Sequence, residues 1–229
     1  MYKQIFMKKI RLVTASFGNE NRELTIKTPL TYKNYTIDQV FYNNKNTNSR
    51  QLSLSPRMKG KIPKMMEWLN FPDYDYYIWI DSKFTILDGF MENIFQGVDD
   101  SADLYLFSHP DRSSIKDEVN FVNHFLRVGH PEFFSRYKGE SMSEQVTAYL
   151  SDESFIDNKL FSLGCFMFSS RLVENRNYNL MTDWLLHCTI YSIQDQLSFP
   201  YLLHKHKTRY KVYSKSLMKN NFLEYDYNN

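Results

Sequence analysis

The 229-residue chain carries 28 Lys and Arg against 26 Asp and Glu, a formal net charge of +2, too small to argue for a polyanionic partner and leaving local clusters to be read singly. Its 42% hydrophobic content is enough for one α/β unit, and a single domain over residues 1–229 is expected. Cys165 and Cys188 lie in apolar stretches without C-x-x-C spacing, which excludes a disulfide framework and a zinc site and predicts buried free thiols. Residues 1–10 are basic without an apolar leader, and no run of about 18 apolar residues follows, so the expectation is a cytoplasmic protein with no membrane span.

Residues 10–17 read as a first strand, closed by Gly18-Asn19, a pair that tolerates positive φ. Residues 36–42 alternate as a second strand and enter the polar tract 43–48, predicted to be a mobile surface loop. Over 55–69, Met58, Ile62, Met65, Met66 and Leu69 recur at helical spacing, with Pro63 expected to divide the segment into two short helices. Three continuous apolar runs, 76–80, 104–107 and 163–168, have the character of strands covered on both faces of a mostly parallel sheet. Helical patterns at 115–128, 142–150 and 172–191 alternate with them, which predicts an α/β, Rossmann-type fold with helices flanking that sheet. Residues 205–229 read as a basic strand-and-loop region, because 205–219 hold six Lys or Arg and no acid. In strand geometry Lys205, Lys207, Arg209 and Lys211 share one face, either as a track for a phosphate backbone or as a solvated sheet edge.

Open α/β sheets bind ligands beyond the carboxyl ends of their strands, so a polar residue that abruptly ends an apolar run is a site candidate. Asp81 is the clearest, either capping a turn or meeting a diphosphate together with a hard cation, Mg²⁺ or Mn²⁺. At the next strand end stand His109, Arg112 and Glu118; an Arg and a His there are costly to bury unpaired, which sets them toward the same crevice, with Glu118 available to pair with Arg112. Upstream, Arg57, Lys59, Lys61 and Lys64 form a basic cluster. Arg57 and Lys61, four apart, share a helical face that either reaches ribose and phosphate oxygens or is simply solvated. Asp195-Gln196 opens a short helix, and Ser192-x-x-Asp195 matches a capping box.

Four segments then carry a resemblance: Thr14-Ala-Ser-Phe-Gly18; residues 57–63 with 76–83; His109-Pro-Asp-Arg112 with Glu118; and Asp195-Gln-Leu-Ser-Phe-Pro-Tyr201. In this order, over roughly residues 10 to 205, the chain resembles the glycosyltransferase-like family first recognised in plant Golgi proteins of turgor control and mucilage synthesis. The resemblance implies a GT-A-like fold and transfer of a sugar from a nucleotide-sugar, a UDP-sugar by expectation. It implies that Arg57, Lys61, Asp81, Lys83, His109 and Arg112 bind the donor and that Asp195 and Gln196 are catalytic, Asp195 addressing the donor sugar or the acceptor's proton. It further implies Mn²⁺ or Mg²⁺ at Asp81, with His204 either a second metal ligand or a phosphate contact. Trp79-Ile-Asp81 occupies the place of an Asp-x-Asp motif, but Lys83 replaces the second acid and brings a positive charge of its own. The expected acceptor is cytoplasmic: a polysaccharide or lipid-linked glycan, or a modified base of phage DNA. The alternative is a non-catalytic module of the same fold that binds nucleotide-sugar or nucleic acid and has no need of Asp195.

Overall fold

Apolar runs with no polar alternation have no wet face to offer, and they build the centre of this molecule. A computed structural model describes residues 7–18, 23–48 and 53–226; Asn19, expected to help close the first strand, lies outside the described residues. In chain order the strands are β1 (Lys9–Ala15), β2 (Thr25–Ile26), β3 (Thr36–Tyr42), β4 (Tyr76–Ile80), β5 (Phe84–Ile86), β6 (Leu104–Ser108), β7 (Phe161–Ser169), β8 (Tyr210–Val212) and β9 (Leu223–Tyr225). The helices are α1 (Pro56–Asn70), α2 (Phe90–Ile94), α3 (Ile115–Arg127), α4 (Pro131–Tyr137), α5 (Met142–Leu150), α6 (Leu180–Ile190) and α7 (Asp195–Lys205).

Six strands form one sheet in the order β3-β1-β4-β7-β6-β8, and β2-β5-β9 form a smaller one. Within the larger sheet every pairing is parallel except the two made by β7. The expected α/β architecture, a mostly parallel sheet flanked by helices, is therefore the observed one. β4 shows why its sequence lacks alternation. Tyr76, Ile78 and Ile80 pack with α2 and the small sheet, whereas Tyr77 and Trp79 pack with Met65 and Trp68 of α1 and Trp184 of α6. Successive side chains point to opposite faces, and both faces are covered.

Three expectations are corrected. Residues 55–69 make one helix, because α1 runs unbroken through a buried Pro63; the ring removes one backbone bond, while Ser55 caps the first turn by accepting from the Met58 amide. Residues 172–191 do not form one helix: a 3₁₀ turn at Ser170–Val173 precedes a fresh start at Asn179, whose capping box with Thr182 begins α6. The tract 43–48 is a surface turn, as expected, in which Asn46 Oδ1 accepts from the Asn43 amide at 2.9 Å and Thr47 Oγ1 donates to the Asn43 carbonyl at 2.6 Å. In the basic region only Tyr210–Val212 is a strand that joins the large sheet, and Lys205 ends α7, so the four cations do not share a strand face. Both cysteines are buried and free, as expected. Among the described residues no helix is long and apolar enough to cross a membrane.

The placement of α1 matters most for the site, and a buried ion pair fixes it. Arg11 Nε of β1 meets Glu67 Oε1 of α1 at 2.8 Å, and Tyr42 of β3 donates to the other carboxylate oxygen at 2.8 Å. Glu67→Gln leaves Arg11 buried without its counter-charge and is expected to destabilise the fold by about 3 kcal/mol in denaturant titration. A loss below about 0.5 kcal/mol, the size of an ordinary surface substitution, would show that the pair does not hold the helix.

Candidate functional site

β1, β4 and β6 run in one direction and end at one edge of the sheet, where β7 begins. At this edge Asp81 follows β4. Its backbone amide donates to the Gly164 carbonyl at 2.7 Å, and its Oδ1 accepts from the Trp79 indole at 2.7 Å. Gly164 is needed here for room: a Cβ would sit 2.9 Å from Phe84 Cε2 and 3.2 Å from Asp81 Oδ2. Gly18, after β1, has φ +101° and lies against Pro56, so the first segment meets the start of α1 in a backbone conformation that favours glycine.

Arg57, Lys61 and Lys64 project from α1 at intervals of four and three, one helical stripe. The stripe leads to Asp195 at the start of α7. Lys61 Nζ lies 2.5 Å and Lys64 Nζ 2.8 Å from the same oxygen, Asp195 Oδ2, with all three side chains at most 13% exposed. Burial alone would raise the Asp195 carboxyl, but the two ammonium groups outweigh it and hold it well below the usual carboxylate range. Burial lowers Lys61 despite Asp195, whereas for Lys64 Asp195 and Asp81 together overcome the burial and raise it. Lys64 is the firmer cation. It lies 5.6 Å from the centre of the Trp79 ring and 5.5 Å from that of Trp184. Lys64 belongs to the basic cluster noted in the sequence but was not among the two residues chosen from it, although its place seven residues beyond Arg57 puts it on the same face.

The capping-box reading of Asp195 does not hold. α7 has Gln194 at its N-cap with no side-chain cap bond, and Ser192 Oγ donates instead to Gln145 Oε1 at 2.6 Å. The Asp195 carboxylate turns to α1, while its backbone carbonyl accepts from Trp184 Nε1 at 3.0 Å. Gln196 is engaged at both ends: Nε2 donates to the Phe161 carbonyl at 2.9 Å, and Oε1 accepts from Gln194 at 3.2 Å.

His109 and Arg112 come together, as their spacing suggested, and Glu118 joins them. Arg112 Nε pairs with Glu118 Oε2, and Arg112 Nη2 lies 3.0 Å from His109 Nε2. His109 Nδ1 accepts from the Asp111 and Arg112 amides at 3.2 and 3.1 Å, which shapes the turn after β6. Burial and the Arg112 guanidinium both lower the His109 pKa. Glu118 Oε1 accepts from Gln194 at 2.8 Å, so this group is tied to the residue preceding Asp195.

His204 is not brought to Asp81. It closes the last turn of α7, about 13 Å along the axis from Asp195 at 1.5 Å per residue, and its Nε2 lies 3.0 Å from Ser154 Oγ. There it borders a cavity of about 220 Å³ together with Phe155, Lys159, Phe161 and Tyr210. Lys83 stands in the turn between β4 and β5, half-buried, its carbonyl accepting from the Asp226 amide at 2.9 Å. Among the described residues no group of three or more His, Cys, Asp or Glu is arranged to hold a metal ion. The basic region is largely neutralised from within: Lys205 pairs with Asp183, Arg209 with Asp103 and Lys211 with Asp99, and Lys215 donates to Asn93 and Asn221.

The family model of the TOD1/MUCI70 glycosyltransferase-like domain matches residues 48–227, a span that takes in three of the four resembling segments and leaves 14–18 before it. Among solved structures, a glycosyltransferase involved in the glycosylation of the major capsid of PBCV-1 is 11% identical, with a TM-score of 0.47 over 96% of this chain and 93% of that one. Mouse xyloside xylosyltransferase 1 in its apo form is 9% identical, with a TM-score of 0.46 over 89% of this chain and 84% of that one. No curated protein matches the chain.

Because the folded pKa of Asp195 lies below its unfolded value, the pair's contribution to stability is present above about pH 4 and is lost as pH falls through the folded pKa. Asp195→Asn is expected to lower stability by about 3 kcal/mol at pH 7, because two buried ammonium groups lose their counter-charge. The gap between variant and wild type should narrow steadily in denaturation curves taken below pH 4. A gap independent of pH would mean that the carboxylate is not held by the lysines.

Proposed function

We propose that this chain, which belongs to the TOD1/MUCI70 glycosyltransferase-like family, transfers a sugar from a nucleotide-sugar, read as a UDP-sugar, to a glycan acceptor. The observation that carries this reading is the excess of positive charge at the sheet edge. Lys61 and Lys64 share a single carboxylate, Arg57 continues their stripe, and Lys83 follows Asp81 in the adjoining turn. Partly buried cations in excess of their counter-charges are costly, and the diphosphate of a nucleotide-sugar supplies the missing anion.

The same charges suit the reaction. As the bond from the sugar's anomeric carbon to the diphosphate oxygen breaks, negative charge grows on the leaving oxygen, and ammonium groups already in place stabilise it. Asp195, kept ionised by two lysines, is a poor proton acceptor; its part is to hold Lys61 and Lys64 in register. His109 and Arg112 shape the turn that bounds the donor site, and Gln196 braces the start of β7.

A divalent ion, Mn²⁺ or Mg²⁺, fits this edge with Asp81 as its protein ligand, since such ions are held through one or two carboxylates plus substrate phosphates. The Trp79 indole engages Asp81 Oδ1, which assigns such an ion to Oδ2, and His204 takes no part. When bound, such an ion would add positive charge beside the diphosphate. For the acceptor, a polysaccharide or lipid-linked glycan is favoured over DNA, because Lys205, Arg209 and Lys211 are already paired within the chain.

Native mass spectrometry with UDP, GDP and their sugars is expected to give a nucleoside diphosphate complex, strengthened by Mn²⁺ in the wild type and not in Asp81→Asn. Slow release of free UDP from UDP-sugar separates an enzyme from a binding module. If no nucleotide of the panel binds, the reading is wrong; binding indifferent to a chelator assigns neutralisation to the lysines alone.

A further inference from the structure

Arg57 differs from the other anchored arginines. Arg11, Arg112, Arg171 and Arg209 each commit their guanidinium to a carboxylate. Arg57 instead lies 4.9 Å over the Tyr137 ring and donates from Nη2 to Tyr137 Oη at 3.4 Å, while its Nη1 is buried with no hydrogen-bond partner among the described residues. A buried N–H without an acceptor is costly, and a guanidinium in this state is prepared for an oxygen that none of the described residues provides.

What holds it there is a line of neutral side chains backed by a carboxylate. Tyr137, 5% exposed, donates from Oη to Gln194 Oε1 at 2.8 Å, and Gln194 Nε2 donates to Glu118 Oε1 at 2.8 Å. The direction of each bond is forced. Glu118, only 3% exposed and paired with Arg112, can only accept, so Gln194 must turn its NH₂ toward Glu118 and its carbonyl toward Tyr137. The phenol proton is then engaged with Gln194, and the lone pair of Oη is left facing Arg57.

We propose that Tyr137 and Gln194 are positioning residues of the donor site, which aim Arg57 so that Nη1 meets a phosphate oxygen of the nucleotide diphosphate. This rests on the reading of the edge as a nucleotide-sugar site. Phosphate is the favoured class because the planar guanidinium matches its oxygens and because Lys61 stands one helical turn farther along the same face. Neither Tyr137 nor Gln194 touches the reacting atoms in this scheme; both act through Arg57.

The test is a thermodynamic cycle on UDP affinity by calorimetry, with Arg57→Ala, Tyr137→Phe and the double variant. Tyr137→Phe keeps the ring and its packing and removes only the hydroxyl. Each single variant is expected to weaken UDP binding about 10-fold, the scale of one hydrogen bond to a charged group. The double variant should be no weaker than Arg57→Ala, because Tyr137 has nothing left to aim. Wild-type affinity in Tyr137→Phe, or effects that add in full, would overturn the proposal while leaving the donor-site reading intact. Absence of UDP and GDP binding to the wild type overturns both. Should Tyr137→Phe fail to fold, Gln194→Met takes its place in the same cycle, with the same outcomes decisive.

Discussion

One carboxylate between two ammonium groups organises this structure. Asp195 sits at the first position of α7 and reaches the middle of α1, while its backbone carbonyl takes the indole N–H of Trp184 in α6, so three helices on one face of the sheet converge on one residue. Apart from the Lys205–Asp183 pair between α7 and α6, their packing is apolar and would tolerate sliding; the Asp195 contact does not, because a shift of one helical residue would strand charges in the interior. The same contact sets two lysines on one acid beside the Asp81 turn.

The antiparallel strand β7 makes that turn possible. Running against β4, it brings Gly164 beside Asp81, and its lack of a side chain lets the carboxylate and the Phe84 ring lie side by side. Next to it Trp79 performs two tasks. Its ring packs in the core with α1 and α6, and its N–H orients Asp81, so the position of the carboxylate is set by the core itself.

Much of this was legible in the sequence for a definite reason. Runs such as 76–80 are apolar on both faces only if both faces are covered, and a carboxylate that ends such a run marks the ligand edge of an α/β sheet. What escaped depends on distant partners. Ser192 and Asp195 have the spacing of a capping box, yet the Ser192 hydroxyl goes to Gln145 and the Asp195 carboxylate to α1. The strip at 205–219 looks unpaired in sequence because its acids, Asp99, Asp103 and Asp183, come from other elements. Tyr137 and Gln194, neutral and far apart in the chain, carried no local signal at all; only their shared bond, with Arg57 and Glu118 at either end, singles them out.

β9 has a consequence for the order of assembly. It pairs with β5, directly after the Asp81 turn, and the Asp226 amide binds the Lys83 carbonyl, while Lys64 waits for a partner 131 positions away. Contacts of such long sequence separation form late, after the entropy of closing large loops has been met. On a growing chain the sheet centre can collect around β1 and β4 early, but the Lys83 turn gains its last support only when residue 226 has emerged. Until then the polypeptide is a scaffold without a finished edge, and premature termination a few residues short would leave much of the core in place with the Lys83 turn unbraced.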